Sequence, residues 1–424
     1  MINKLKIKSE FGKNILTLMT GTTLAQAIPI AISPILTRIY APEDFGVFAL
    51  YAAVASVMSI AATGRYELAI MLPRKESDAF SIAVLSAAIA AVLSVLSIII
   101  VLMFNNDIAF FLGNPDLGNW LYLMPVSIFL TGLYQTLNYW NNRGRQFTKI
   151  ALSRVSQSAG GGTAQLAVGF GTSLPGGLIA GSVVGQGVGV LALLRASRKN
   201  ISAHISHFGF SDLKRNASEY KKFPLFASWA ALLNTGSVQM PVFMITKYFG
   251  SSITGLFSFT FKVISIPMTL VSSSISQVMF QKVAVMHNEK PELLFYFVLK
   301  MFLLLLVLSI PFVMTLTFWG VEIFSFVFGE QWALAGNFAA VLSVAVAIRF
   351  AVSPLSSVLA LEHNVRKGAA WHVIRFVTLT TTLIFFKDQD IEFFLQIFVI
   401  HEVVLYSLYL IIILSAANTH GKCG

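Results

Sequence analysis

Four charged residues, Lys262, Arg349, Arg375 and Glu402, fall deep inside long apolar runs, and two more, Arg154 and Lys300, fall nearer the ends of such runs. A charge at the centre of a bilayer costs about 2.5–3.5 kcal/mol on the mildest scale, so each of the four needs a water-filled cavity, an internal partner or a ligand. Three of them are cations. The chemistry they offer is to replace the water around an anion, which a guanidinium does in bidentate fashion. Glu402 offers two roles, an ion pair with Arg375 or the coupling of a proton or sodium ion. Arg154 and Lys300 lie within about two turns of a run's end, from which a long side chain snorkels to the interface.

Bond-making chemistry is poorly represented. The seven histidines are scattered, no HExxH motif is present, and His401-Glu402 and Trp371-His372 have no companion nucleophile in sequence. No GxxxxGK[ST] loop is present, so ATP hydrolysis is not expected of this chain. The single Cys423 has no partner for a disulfide and belongs to no metal quartet. The reading is of a protein that is not an enzyme, with no cofactor beyond a coupling H+ or Na+. Any driving energy must come from an ion gradient, the substrate gradient or a partner.

The elements that hold these charges follow from composition. Of 424 residues, 56% are hydrophobic and 12% charged, with 36 phenylalanines and a mean hydropathy of +0.75. A soluble domain carries roughly a quarter charged residues. The apolar residues gather into runs that lack the period-two alternation of a barrel strand and are long enough, at roughly 20 residues, to cross a bilayer as helices. Twelve spans are expected, near 15–36, 45–63, 80–104, 120–140, 150–170, 174–194, 223–246, 253–280, 293–318, 332–357, 369–386 and 393–415. An N-terminal signal peptide, suggested by Lys4, Lys6, Lys8, Lys13 and Ala25-Gln26-Ala27, is rejected because the apolar run continues past that triplet.

The net charge of +11 is explained by topology and not by a nucleic-acid partner. On one side lie Arg65, Arg74 and Lys75, then Arg143, Arg145 and Lys149, then seven cations within 195–222, then Lys282 and Lys290, then Arg366 and Lys367. The other side has only Arg38, Lys247 and Lys387. Cations collect on the cytoplasmic side, which places both termini there.

The polar stretch 195–222 is the natural linker between two halves, an N-terminal six-helix bundle at 1–194 and a C-terminal one at 223–424. A short repeat agrees with this. Ile35-Leu36-Thr37-Arg38-Ile39-Tyr40 and Gly46-Val47-Phe48 match Met244-Ile245-Thr246-Lys247-Tyr248-Phe249 and Gly255-Leu256-Phe257 at a constant offset of 209 (246 − 37 and 255 − 46). Six-helix halves in the same orientation are related by a pseudo-two-fold axis along the membrane normal. A stripe of Gly177, Gly181, Gly185 and Gly189 lays small residues along one helix face, for either sliding or static close packing. Prolines at 29, 34, 125, 241, 267, 311 and 354 are candidate kinks.

The stretch Ser33-Pro34-Ile35-Leu36-Thr37-Arg38-Ile39-Tyr40-Ala41-Pro42-Glu43-Asp44-Phe45-Gly46, followed by Gly64-Arg65-Tyr66-Glu67-Leu68-Ala69-Ile70, resembles the N-terminal signature of the bacterial polysaccharide transport proteins. These are the O-antigen and capsule flippases of the multidrug/oligosaccharidyl-lipid/polysaccharide (MOP) exporter superfamily. The resemblance rests on Thr37, Arg38, Tyr40, Pro42, Phe45, Gly46, Arg65 and Glu67. It implies an all-α, MATE-like pair of six-helix bundles in the bacterial inner membrane. Its cargo would be an undecaprenyl-diphosphate-linked oligosaccharide, flipped from the cytoplasmic to the periplasmic leaflet by alternating access. It also implies a cationic cavity, here built from Lys262, Arg349 and Arg375 with Arg154, and partners among membrane lipids, a polysaccharide polymerase and a chain-length regulator. Two rivals stand beside it. A cation-coupled exporter of small drugs shares the fold but more often carries intramembrane acids than bases. A membrane polysaccharide polymerase relies on a large outward loop, whereas the longest loop here is cytoplasmic and basic.

Overall fold

The structure is a computed structural model and describes residues 2–171, 174–205, 209–289, 291–360 and 365–419. Lys290 and Cys423, and the side chains of Lys4, Lys6, Lys8, Lys13, Arg366 and Lys367, lie outside the described residues. The described residues form helices and turns with no strand. The helices are α1 (Ile2–Ile39), α2 (Pro42–Ala61), α3 (Glu76–Phe111), α4 (Met124–Arg143), α5 (Phe147–Gly171), α6 (Gly176–Ile205) and α7 (Phe210–Glu219), followed by α8 (Ser228–Glu289), α9 (Leu294–Phe328), α10 (Ala333–Val352), α11 (Val365–Phe385) and α12 (Ile391–Thr419). Among the described residues eight helical stretches are long and apolar enough to cross a membrane, so the chain is an all-α, multi-pass membrane protein. Helices α4, α5 and α11, also expected as spans, fall outside those eight. Helices α4 and α5 are diluted by polar groups, Gln135, Asn138 and Asn142 in α4 and Arg154 and Gln157 in α5, whereas α11 is apolar over a shorter described stretch, Ala370–Phe385.

Helix α8 is too long for one crossing. Straight, its 62 residues would reach about 93 Å at 1.5 Å per residue, three times the ~30 Å bilayer core. The helix is broken at Gly250, whose φ of 83° and ψ of 177° suit a residue without a Cβ. Gly250 lies 209 residues after Ala41 (250 − 41), one of the two non-helical residues between α1 and α2. The matched segments also share their burial. Leu36, Thr37 and Val47 are buried, as are their counterparts Ile245, Thr246 and Leu256, while Arg38 and Lys247 are both exposed. Further breaks fall at Phe104 in α3 and Trp319 in α9, and none of the three coincides with a proline.

The chain divides into two compact units, Met1–Thr235 and Gly236–Gly424. In the first, α5 and α6 approach backbone to backbone. A Cβ at Gly185 would lie 2.7 Å from the Gln157 carbonyl oxygen and 2.9 Å from the Gly161 Cα. The glycine stripe is therefore a close-packing face. Tyr40 ties α1 to the same layer, its hydroxyl donating to the Gln165 carbonyl at 2.8 Å and filling the space a Cβ at Gly177 would need. Within 195–222, α6 continues to Ile205 and α7 follows. The apolar side of α7, with Leu213, Ala217 and Tyr220, packs against Tyr66, Ile70 and Phe80. Arg215 pairs with Asp78 at 2.5 Å, and the Tyr66 hydroxyl donates to the Ala217 carbonyl at 2.9 Å.

In the second unit, α9 and α10 meet at Gly320 and Gly336, where either Cβ would fall within 2.7 Å of the other's carbonyl oxygen. Phe259 packs at a tilt against the buried Trp332, centroids 4.5 Å apart, and a cluster around Leu294, Val298, Leu355 and Ile413 fills the other end.

Candidate functional site

Three of the four deep charges come together in the second unit. Arg349 lies near the end of α10, Arg375 midway along α11 and Glu402 midway along α12. Arg349 Nε donates to Glu402 Oε2 at 2.6 Å, and Arg375 Nη2 reaches Oε1 at 3.4 Å. One carboxylate thus serves two guanidiniums, and the triad keeps a net charge of +1. Glu402 has no exposed side-chain surface and Arg375 has 6%, whereas Arg349 retains 21%. Arg349 is the member that can still meet a ligand. Glu402 engages its Nε, and its two Nη groups have no hydrogen bond among the described residues.

Aromatic rings hold both guanidiniums. Arg349 Cζ lies 5.2 Å from the Phe261 centroid and 5.8 Å from that of Tyr406. Arg375 Cζ lies 5.6 Å from the same Tyr406 ring. A ring face attracts a cation and occupies the side from which water would otherwise solvate it. Tyr406 is one turn beyond Glu402, so the spacing i, i+4 brings the ring and the carboxylate to one helix face. On the neighbouring turn His401 Nε2 lies 3.2 Å from Thr378 Oγ1. Arg375 Nε, His372 Nδ1 and His401 Nδ1 are buried with no partner among the described residues.

The other expected site residues are placed differently. Lys262 follows Phe261 on α8, is exposed, and has no ion pair among the described residues. Arg154 belongs to the first unit, where its Nη1 donates to Thr22 Oγ1 of α1 at 2.6 Å. The pairing of Arg375 with Glu402 was legible from sequence as an alternative. That Arg349 shares the same carboxylate was not, because the two are 53 positions apart on helices whose rotation no local spacing gives. Phe261 and Tyr406 were also missed.

The signature residues are mostly structural. Thr37, Tyr40, Phe45, Gly46 and Glu67 are buried in the first unit. Pro42 opens α2, a position that needs no backbone donor, and the Asp44 carboxylate accepts from the Ala41 N–H at 2.8 Å. Glu67 accepts from Thr63 Oγ1 and lies 3.4 Å from Arg65, pinning the turn between α2 and α3. Arg65 itself sits at φ 61°, a left-handed conformation.

The family model for "polysaccharide biosynthesis protein" matches residues 35–336. No curated protein matches the chain in sequence. Among solved structures, the lipid II flippase MurJ in an inward closed conformation is similar at TM-score 0.69 and 12% identity, over 93% of this chain and 87% of that one. An inward-facing multidrug resistance MATE family transporter of the MOP superfamily is similar at TM-score 0.64 and 14% identity, over 96% of each chain. The MATE multidrug transporter DinF-BH gives 0.57 and 14%, over 93% of each. At these identities the likeness is one of fold, and the sequence match carries the family: the chain belongs to the polysaccharide biosynthesis protein family and has the fold of the MOP-superfamily transporters.

Proposed function

We propose that the protein flips an undecaprenyl-diphosphate-linked oligosaccharide from the cytoplasmic to the periplasmic leaflet of a bacterial inner membrane by alternating access. The observation that carries this reading is the net positive triad, with the partly open Arg349 guanidinium as the one charged side chain of α10. A diphosphate bears about two negative charges and cannot enter hydrocarbon bare, and an Nη pair is built to replace its water. Membership of the polysaccharide family and the fold shared with a lipid II flippase support it.

Two six-helix halves with both termini in the cytoplasm suit this role. Divided at Gly250, the stretch Phe223–Phe280 turns eight candidate spans into nine, and α4, α5 and α11 bring the number to twelve. The 209-residue offset that relates Ala41 to Gly250 supports a duplication. Glu402 is the natural coupling site, because a proton on it would release the Arg349 guanidinium to the cargo. Lys262 and Arg154 would add positive charge along the path.

A second reading, a cation-coupled exporter of small molecules, is favoured by the shared fold of the multidrug transporters and by the buried acid Glu402. Purified protein in proteoliposomes separates the two. A fluorescent isoprenyl-diphosphate-linked saccharide should lose its leaflet asymmetry at least tenfold faster with the protein than without it. Unchanged leaflet exchange, together with proton- or sodium-driven uptake of a cationic dye, would replace the flippase reading with the exporter.

A further inference from the structure

Helix α4 packs on two of its sides along most of its length, and α2 joins it near Ser127 and Gly132. On one, a Cβ at Gly132 would come within 2.6 Å of the Ala90 Cβ, and Trp140 meets Phe80 edge-on at 5.6 Å. That side belongs to α3. On another, Leu137 joins Ile150, Val190 and Leu193 in one cluster, and Asn141 Nδ2 donates to Ser197 Oγ at 2.6 Å. That side belongs to α5 and α6.

The remaining side carries Ser127, Thr131, Gln135, Asn138 and Asn142. Their spacings of four, four, three and four residues trace one helix face, and the run spans about 22 Å of a ~30 Å hydrocarbon core. Ser127 closes one end by its 2.7 Å hydrogen bond with the Tyr51 hydroxyl. The other four side chains make no hydrogen bond among the described residues, and Gln135 Oε1 and Asn138 Oδ1 are buried without a partner. Thr136, on the α3 side of the same helix, instead bonds back to the Gly132 carbonyl at 2.9 Å, as hydroxyls in helices commonly do.

Such a face does not suit lipid. Lipid-type surface in this unit is apolar and open, as at Val95, Ile99 and Leu102 on α3, whereas the four polar residues are half-buried. Unsatisfied carboxamides in hydrocarbon are strongly disfavoured, so this face needs water or a ligand. The stripe is also neutral, which separates it from the anion chemistry of Arg349. An amide presents donors and an acceptor together, and a hydroxyl does the same.

We propose that the α4 stripe of Thr131, Gln135, Asn138 and Asn142 is a glycan-binding face that hydrogen-bonds sugar hydroxyls. This rests on the lipid-linked sugar being the cargo. The test uses purified full-length protein and two probes, an isoprenyl diphosphate without sugar and the same lipid carrying an oligosaccharide repeat unit. The variant Gln135→Leu/Asn138→Leu should bind the glycosylated lipid roughly ten- to thirtyfold more weakly, the weight of two lost hydrogen bonds. Its affinity for the sugar-free lipid should stay at the wild-type value, which also shows that it is folded. Should that pair not fold, Thr131→Val/Asn142→Leu is read in the same way. Unchanged affinity for both probes, or an equal loss for both, would overturn the glycan face. If wild type binds neither probe, the cargo assignment itself fails and the glycan face falls with it.

Discussion

Replacing Glu402 with leucine is expected to destabilise the second unit by about 3–5 kcal/mol, because it leaves two guanidiniums in the protein interior without their shared anion. The effect should be large for a geometric reason. Arg375 is 6% exposed and cannot turn to water, and its Nε is already without a partner. In a unit of this size such a loss lowers the thermal midpoint by roughly 6–20 °C, which a melting curve in detergent or nanodiscs measures. The companion variant Arg349→Met/Arg375→Met/Glu402→Leu removes all three charges together. It should melt near wild type or above it, since a buried ionic group replaced by apolar side chains of similar volume is often neutral or stabilising. A triple variant that melts as low as the single one would show that the triad is the main support of the α10–α12 packing and not chiefly a charged site.

The second large effect belongs to Arg349→Lys. Both side chains are cationic, but a lysine ammonium cannot hold Glu402 through one nitrogen while presenting two more as a planar fork. Loss of a charge-assisted pair at about 2–5 kcal/mol corresponds to a fall in transport of roughly thirtyfold to several thousandfold. Arg375→Lys should be milder in transport, because Arg375 is buried and acts through Glu402. Rates measured at equal protein in the membrane decide this. Equal losses in the two variants would mean that Arg349 has no privileged contact with the cargo.

Much of the fold was legible in the sequence because the bilayer imposes a simple rule, that roughly 20 apolar residues make one crossing. Each expected span overlaps a helix over most of its length, and the break of α8 at Gly250 falls in the gap between the expected spans 223–246 and 253–280. The polar helices were harder. Helix α4 reads as a diluted apolar run, and its Ser127–Asn142 stripe emerges only when the helix is rotated against Gly132 and Leu137, which mark its packed sides. Residues 195–222 looked like a linker because they are charged, yet Leu213, Ala217 and Tyr220, four and three residues apart, join one cluster with Tyr66 and Phe80. At the ion triad, charge and depth were visible in sequence while partnership was not. Glu402 could be matched to Arg375 because adjacent helices meet, but its 2.6 Å bond to Arg349 depends on the rotation of three helices at once. The signature around Tyr40 was visible as a pattern, and its reason, a phenol filling the space left by Gly177, was not.

The most direct test of the central claim is the leaflet occupied by lipid-linked repeat units in cells lacking this protein, complemented by wild type or by the triple variant that leaves no charge unpaired. The account predicts accumulation in the cytoplasmic leaflet, cured by wild type and not by the triple variant although it inserts and folds. Repeat units that reach the periplasmic leaflet in the absence of the protein would contradict it, whether they stay unpolymerised, as for a missing polymerase, or give normal glycan with altered drug sensitivity, as for a missing exporter.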